Sequence, residues 1–596
     1  MNKCIALLLG MLLLICCTSC TAADVAEGQR MPDITKEMDV TFTERELAGE
    51  WDVQKAITVT GSGNTFKTNG RGIKLSGGQA RIIADGVYVL TGEFTMPIVI
   101  AASSSDKVQL VLQNAAITTA DGPAILIESA DKVFITLPEG SVSHVTDGAA
   151  YASTESGAPD AAIFSRADLR LNGAGSLLVT GQYRHGIVSK DDLVIVRCTL
   201  EVSAASTGLD GKDCLKATEA SITIHAGTNG MRSDNAEDAA RGFVYLNDCR
   251  IVLESGGDGI QAQTSLMLSG GELTITSGGG SGRSLRNAED SWKGLKAAGD
   301  LLIEKDAVIL ISSRDDCIHA NGSVLITGGS LDLSSGDDGV HADSSLTISG
   351  GELIIRQSYE GLEASKLTIS GGNISITALD DGLNAAGGAD GSAAGNRFGR
   401  GFFSNGVGEI IISGGYTVIN ASGDGIDSNS TIAVSGGVTL VSGPTNSMNA
   451  AFDYDGSATV TGGILIATGP AGMAQNFSDA QGQGAILVSF NNRVSASLAL
   501  VNEDGQVVVA FTPQTAYQSA VFTAPGIQDG QTYAIVVGGQ FSGADANGFA
   551  QDGVYTGGNT AGTITMDGLI YGVGHSFGPG GGGPGGGGRP GGGWGR

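Results

Sequence analysis

The residues best suited to chemistry in this chain are acids that double at intervals: Asp315-Asp316, Asp337-Asp338 and Asp380-Asp381. The steps between them are 22 (337 minus 315) and 43 (380 minus 337), with Tyr359-Glu360 between the second and third pairs. If that interval is one structural repeat, the carboxylates stack at strand spacing, where like charges repel. Calcium offsets such repulsion well, because it takes about six to eight oxygen ligands at ~2.3–2.6 Å. The six aspartates are therefore the candidate calcium ligands. Turn formation explains a single Asp-Gly pair, but it explains the doubling less well. His319 and His341 stand one repeat apart and could suit a transition metal. The aspartates outnumber them and favour a hard cation. Lys293 and Lys296 lie near Asp315-Asp316, and Lys190 and Lys212 are one repeat apart. Beside a metal, any of these could serve as the base of an elimination. Charge balance beside the aspartates is their simpler role.

The elements that would position these groups follow from one recurring pattern. It is acidic-Gly-aliphatic-x-Ala, a few residues, then Leu-x-Ile-x-Gly-Gly-x-Leu-x-Ile, as in GDGIQAQTSLMLSGGELTIT from Gly257 and DDGVHADSSLTISGGELIIR from Asp337. The turn residue recurs at Gly186, Gly208, Gly230, Gly259, Gly294, Cys317, Gly339, Gly361, Gly382, Gly425 and Ser447, most often 22 residues apart. Three short strands and three turns fill such a repeat. Leu-x-Ile alternation buries one side of each strand, and Gly-Gly suits a corner that needs positive φ. No single coil can bury its apolar face alone, so the coils must stack. The predicted fold is all-β: a right-handed parallel β-helix of about 22 residues per coil, followed by a small antiparallel β domain. Independent β-sandwiches would also yield many short strands, but not one unbroken register.

Composition bounds the remainder. The net charge of -28 argues against nucleic acid, which needs clusters of Lys and Arg. Lys3, the apolar run from Ile5 to Ile15 and Thr18-Ser19-Cys20 read as an export signal, too short for a permanent span. Cys20 resembles the lipid-accepting cysteine of bacterial lipoproteins, although Cys17 stands where that motif has Leu. The expected location is extracellular, with a lipid anchor or free secretion. The expected division is 1–20 signal, 21–50 tether or cap, 51–484 β-helix, 485–572 small β domain and 573–596 a disordered Gly/Pro tail. Cys198, Cys214, Cys249 and Cys317 are an even set in an exported chain. Cys198 and Cys249 sit two coils apart, about twice the ~4.8 Å strand spacing and beyond disulfide reach. All four are expected as small packing residues.

Extra residues fall at 147–160, 234–241, 279–291 and 386–408, each beside the repeating turn. Insertions in solenoids commonly line one binding face. Trp292, Tyr359, Phe398, Phe402 and Phe403 concentrate there in a chain that is 5% aromatic. Sugar rings pack an apolar face on such side chains. Trp292 and Tyr359 are the better candidates for carbohydrate contact, with His319, His341, Glu360 and Glu363 as the polar groups beside them.

SKDDLVI from Ser189, GKDCLKA from Gly211, SDNAEDAARG from Ser233, SYEGLEAS from Ser358, DDGLNAAGG from Asp380 and the insert GNRFGRGFF resemble the bacterial "carbohydrate-binding domain-containing" β-helix family. The resemblance covers nearly the whole mature chain. It implies a secreted, calcium-carrying β-helix that binds cellulose and acidic sugars and is similar in architecture to calcium-dependent pectate lyases. The expected function is extracellular polysaccharide binding with calcium, and no catalysis. A calcium-dependent lyase using a Lys base and a structural surface adhesin are the alternatives.

Overall fold

The computed structural model describes residues 38–153, 155–282, 291–385 and 408–572. Each repeat folds as one coil of three strands. The coil that opens at Gly259 contains Ile260–Ala262, Leu266–Ser269 and Glu272–Ser277. These pair in parallel with Leu295–Ala297, Leu301–Glu304 and Val308–Ser313 of the next coil. Along the first strands the register runs Ile260, Leu295, Ile318, Val340. Residues a full repeat apart thus become vertical neighbours at ~4.8 Å. The alternation in Glu272–Ser277 buries Leu273 and Ile275 and turns Glu272 and Thr274 outward. One apolar core built this way extends from Val59 to the last coils. This is the expected parallel β-helix.

Glycine is required at two recurrent places. At the corner between the second and third strands, Gly351 takes φ 88°, a conformation that strains any residue with a Cβ. At the repeating turn, a Cβ on Gly339 would lie 2.6 Å from both the Gly361 carbonyl oxygen and the Ile355 Cδ1 atom. Gly339→Ala should therefore destabilise the chain by about 1–3 kcal/mol, as overpacking does, and lower the denaturant midpoint. An unchanged midpoint would show that the coils can spread at this turn.

The N-terminal segment clasps one side of the rod, and the C-terminal region covers its last coils. Thr43 and Glu46 form a reciprocal cap on the short helix Glu44–Ala48, satisfying donors that its first turn leaves open. Residues 38–50 lie along the outer side of the second strands. There Glu46 Oε1 meets Arg170 Nε at 2.5 Å, and Lys216 Nζ donates to the carbonyls of Asp39 and Thr41. Phe42 packs against Tyr245. At the other end, Tyr517–Thr523 pairs antiparallel with both Ser457–Gly469 and Ala485–Val494. A five-stranded antiparallel sheet follows. It packs Leu498, Leu500 and Ile535 on Val418, Leu440 and Ile466 of the last coils.

The four cysteines are buried and unbridged, as expected. No helix among the described residues is long and apolar enough to cross a membrane. The leader 1–20 with Cys20, the tether as far as residue 37, Phe398, Phe402, Phe403 and the tail 573–596 lie outside the described residues.

Candidate functional site: an ionic seam along one edge

The turn before each first strand carries two columns of side chains down the rod. In the first, backbone hydrogen bonds connect successive coils through Asp258, Lys293, Asp316, Asp338, Glu360, Asp381 and Asp424. In the second, strand register stacks Gln261, Lys296, His319, His341, Glu363, Asn384, Asp427 and Asp453. Nearly all of these side chains are buried or half-buried. A buried charge is tolerated only when it is paired and hydrogen-bonded.

The first half of the seam supplies its own cations. Lys293 Nζ lies 2.9 Å from Asp315 Oδ1 and 2.6 Å from Asp316 Oδ2. Burial opposes the lysine's charge, but Asp316 and Asp315 outweigh it and hold the ammonium well above its usual range. Burial likewise raises the Asp316 carboxyl, yet Lys293, His319 and His341 pull it below the ordinary range. Burial and the neighbouring Asp316 charge leave Asp315 raised. His319 Nδ1 is 2.9 Å from Asp316 Oδ2, and its ring stacks on His341 at 4.9 Å and 9°. His341, fully buried, faces a carboxylate from each nitrogen: Glu363 Oε2 at 2.9 Å from Nδ1 and Asp343 Oδ1 at 3.0 Å from Nε2. Its desolvation is outweighed by hydrogen bonds to Asp338, Asp343 and Glu363, so its pKa is raised, and carboxylates at both nitrogens favour the ring with two donors. Lys296 Nζ stands 3.5 Å from Asp258 Oδ2.

Further along the rod the two columns carry no Lys, Arg or His among the described residues. Ligand oxygens of Asp381, Asp424 and Asp427 lie within 4.8 Å of one another. Among the described residues none of the three has a Lys, Arg or His partner. Asp381 Oδ1 accepts from the Asp424 amide at 2.6 Å, and Asp424 accepts from the Ala450 amide. Burial and then mutual repulsion raise Asp381 and Asp427 well above the usual carboxylate range. Burial, opposed by the Ala450 amide, pushes Asp424 up to about 7. Asn384, between Glu363 and Asp427 in the column, donates through Nδ2 to Glu360 Oε2 at 2.6 Å. Its Oδ1, on a side chain 2% exposed, meets no donor among the described residues. Turning the amide over would point oxygen at a carboxylate, so the orientation stands. Glycine at 423 leaves room for the acids, because a Cβ there would lie 2.2 and 2.4 Å from the Oδ1 atoms of Asp380 and Asp381. Several hard oxygens without a cation are the donor set that calcium takes.

The structure redistributes the expected roles. Of the candidate calcium ligands, Asp315 and Asp316 hold the Lys293 ammonium where an ion would sit, and Asp338 hydrogen-bonds with His341. Asp337 shares a close cluster with Asp315 and Asp316. Only Asp380 and Asp381 fall in the stretch where no described residue supplies a cation. Asp424, Asp427 and Asn384 join them there, although the doubling pattern does not single them out. Tracking Lys and His down the same columns was the signal that could have found them.

Trp292 is not an open sugar platform. It is 9% exposed, and the Arg314 guanidinium covers its ring at 4.1 Å. His319, His341, Glu360 and Glu363 are buried within the ionic network, and Tyr359 keeps partial exposure. Lys293 is locked in its ion pairs and Lys296 sits with Asp258 and Ser291. Lys190 is exposed over Phe164, and Lys190 and Lys212 stand many coils from Asp381. Among the described residues, no lysine flanks the Asp381, Asp424 and Asp427 cluster to act as a base.

Residues 76–339 and 338–567 each match a family model described as carbohydrate-binding domain-containing protein. A relative of that description from Acetivibrio thermocellus is 28% identical over 211 residues, covering 35% of this chain and 74% of that protein. A solved structure of a polysaccharide lyase-like protein from C. thermocellum, a gadolinium derivative, aligns with a TM-score of 0.34 and 22% identity. That alignment spans 49% of this chain and 96% of the other.

Proposed function

The chain belongs to the carbohydrate-binding domain-containing protein family, and from that membership we propose that it binds extracellular polysaccharide through its acidic seam, with calcium completing the seam. The polymer is of plant-wall type, a glucan or an acidic sugar such as pectate. The chain is exported, with Cys20 as its lipid attachment point. Asp381, Asp424, Asp427 and the Asn384 carbonyl would hold the calcium, with Asp380 beside them. The ion would supply positive charge that the described residues of this stretch lack and an electrostatic foothold for sugar hydroxyls or carboxylates. The observation that carries this reading is the change along one edge. Asp315, Asp316, Asp338 and Glu363 lie against Lys293 or His341, and Asp381, Asp424 and Asp427 have no such partner among the described residues.

Pull-down of the full chain on insoluble cellulose and on polygalacturonate, with calcium or with EGTA, tests the reading. Retention on at least one polymer is expected. EGTA or Asp424→Asn should weaken retention on the acidic polymer about tenfold or more. Retention that ignores both treatments would remove calcium from binding, and no retention on any polysaccharide would sink the function. Appearance of 4,5-unsaturated products from polygalacturonate would turn the reading into a lyase.

A further inference from the structure

We infer that the N-terminal end of the rod is a docking surface for an anionic phospholipid bilayer, so that the rod stands end-on with Asp381, Asp424 and Asp427 far from the lipid. The inference adds a second surface, remote from the seam, and does not rest on the polysaccharide reading.

Two short hairpins build this end. Thr65–Thr68 pairs antiparallel with Ile57–Gly63, and Ile73–Ser76 pairs antiparallel with Gln79–Ile82. Ile57–Gly63 and Gln79–Ile82 then pair in parallel with the next coil. Thr65–Thr68 and Ile73–Ser76 are therefore the outermost strands, joined by 69–72. From residue 53 to residue 84 the sequence has Lys55, Lys67, Arg71, Lys74 and Arg81 and no acid, in a chain of net charge -28. Lys55 is paired with Asp52 and Arg81 with Glu128. Beyond the patch, Asp85 and Asp106 share a surface depression with Arg45 and Lys107. Lys67, Arg71 and Lys74 are exposed and, among the described residues, meet no carboxylate. Lys74 stands directly opposite Arg81 in the register, a like-charge pair that costs stability and gains from an anion.

Charge alone would suit any polyanion, and the apolar residues beside it select a bilayer. Leu75, next to Lys74, is 51% exposed, and Ile83 is 41% exposed. The Ile83 amide donates to the Gly72 carbonyl oxygen at 2.9 Å, which places it at the turn that carries Arg71. Cations around exposed aliphatics suit a membrane interface, with the aliphatics in the headgroup boundary and the cations among the phosphates. Lysines also guard open strand edges against pairing. That role accounts for Lys67 and Lys74 but not for Leu75 and Ile83 left exposed among them. The excess of acid elsewhere does not oppose the contact. Asp427 lies about 13 strand steps of ~4.8 Å from Gln79–Ile82, or about 60 Å, and charge is screened within ~8 Å at physiological salt. An anionic surface repels the acidic sides of the rod and accepts this end.

Vesicle co-sedimentation tests the inference, with residues 21–596 so that neither the apolar leader nor an attached lipid contributes, and in EGTA so that calcium cannot bridge acids to phosphate. Vesicles of phosphatidylcholine with phosphatidylglycerol should retain the chain, and vesicles of phosphatidylcholine alone should not. Salt at about 1 M, which screens charge within ~3 Å, should release it. Each cation near an anionic membrane is worth roughly a fivefold change, so Lys67→Gln/Arg71→Gln/Lys74→Gln should weaken retention on the order of 100-fold at an unchanged melting temperature. Leu75→Ser should weaken it several-fold and keep its salt dependence. Retention that survives the triple substitution, or that is equal on phosphatidylcholine alone, would overturn the inference. Inorganic polyphosphate bound as tightly, and unaffected by Leu75→Ser, would overturn it in favour of a soluble polyanion. Sedimentation at low salt without vesicles, abolished by the triple substitution, would overturn it in favour of a second copy of the chain.

Discussion

Lys293→Met should destabilise the chain by about 3–5 kcal/mol in EGTA, because removing one partner of a buried ion pair leaves the other charge uncompensated. Lys293 is the ammonium shared by Asp315 and Asp316, and Asp316 is fully buried. The methionine fills much of the lost volume, so the loss reads as charge rather than cavity. The same variant should respond to calcium more strongly than wild type. Ligand oxygens of Asp315, Asp316 and Asp337 already lie within 4.8 Å of one another, and deleting the ammonium opens that cluster to an ion. An ion that binds only the folded chain stabilises it by mass action. Guanidinium denaturation with and without calcium measures both effects. A midpoint unmoved in EGTA would mean that Asp315 and Asp316 are not charged together, and the seam would need a different charge assignment.

The second large effect is a pH dependence that calcium abolishes. Asp381, Asp424 and Asp427 have folded pKa values raised by burial and by one another, Asp424 to about 7. The unfolded chain releases these protons near the ordinary aspartate value of ~3.9. Below that pH both states hold the protons and the acids cost nothing. As pH rises through the unfolded value toward 7, the folded chain keeps protons that the unfolded chain has lost. Stability therefore falls across that window. At about 1.4 kcal/mol per unit, Asp424 alone accounts for up to about 4 kcal/mol, less for the part of its carboxylate that still meets water. Asp316 acts oppositely, since its depressed pKa removes stability as pH falls, but only below the unfolded value, so the two effects occupy different windows. In EGTA the melting temperature should drop between about pH 4 and pH 7. In millimolar calcium it should stay level or rise, because the ion favours the ionised acids. A calcium-free melting curve that is flat over this range would show that the three acids are not forced together.

What the seam contains was legible as columns before any coordinates. The period near 22 places Asp316 above Asp338 and His319 above His341, and the structure keeps that order. The coil architecture, the inward aliphatics and the unbridged cysteines follow from the same period, because strand alternation and stacking leave little freedom. Which acids share a cation was not legible. A lysine side chain can reach up or down the rod, and Lys293 reaches the next coil to hold Asp315 and Asp316. Asp424 and Asp427 follow a long insertion and carry no doubled acid, so their meeting with Asp381 is set by the pairing of Leu383–Ala385 with Ile426–Ser428.

Aromatic positions divide in the same way. Trp292 looked like a platform because it borders an insertion, yet Arg314, in the following coil, covers its ring. Tyr151 and Tyr183 drew no attention in the sequence, and the structure stacks them. The amino-acid sequence by itself determined the repeat, the strand order and the identity of each vertical neighbour, since these depend on backbone pairing and alternation alone. Tertiary structure decided which charges are neutralised and which rings are covered. Those outcomes depend on side-chain reach and on the paths of connections whose lengths vary from coil to coil.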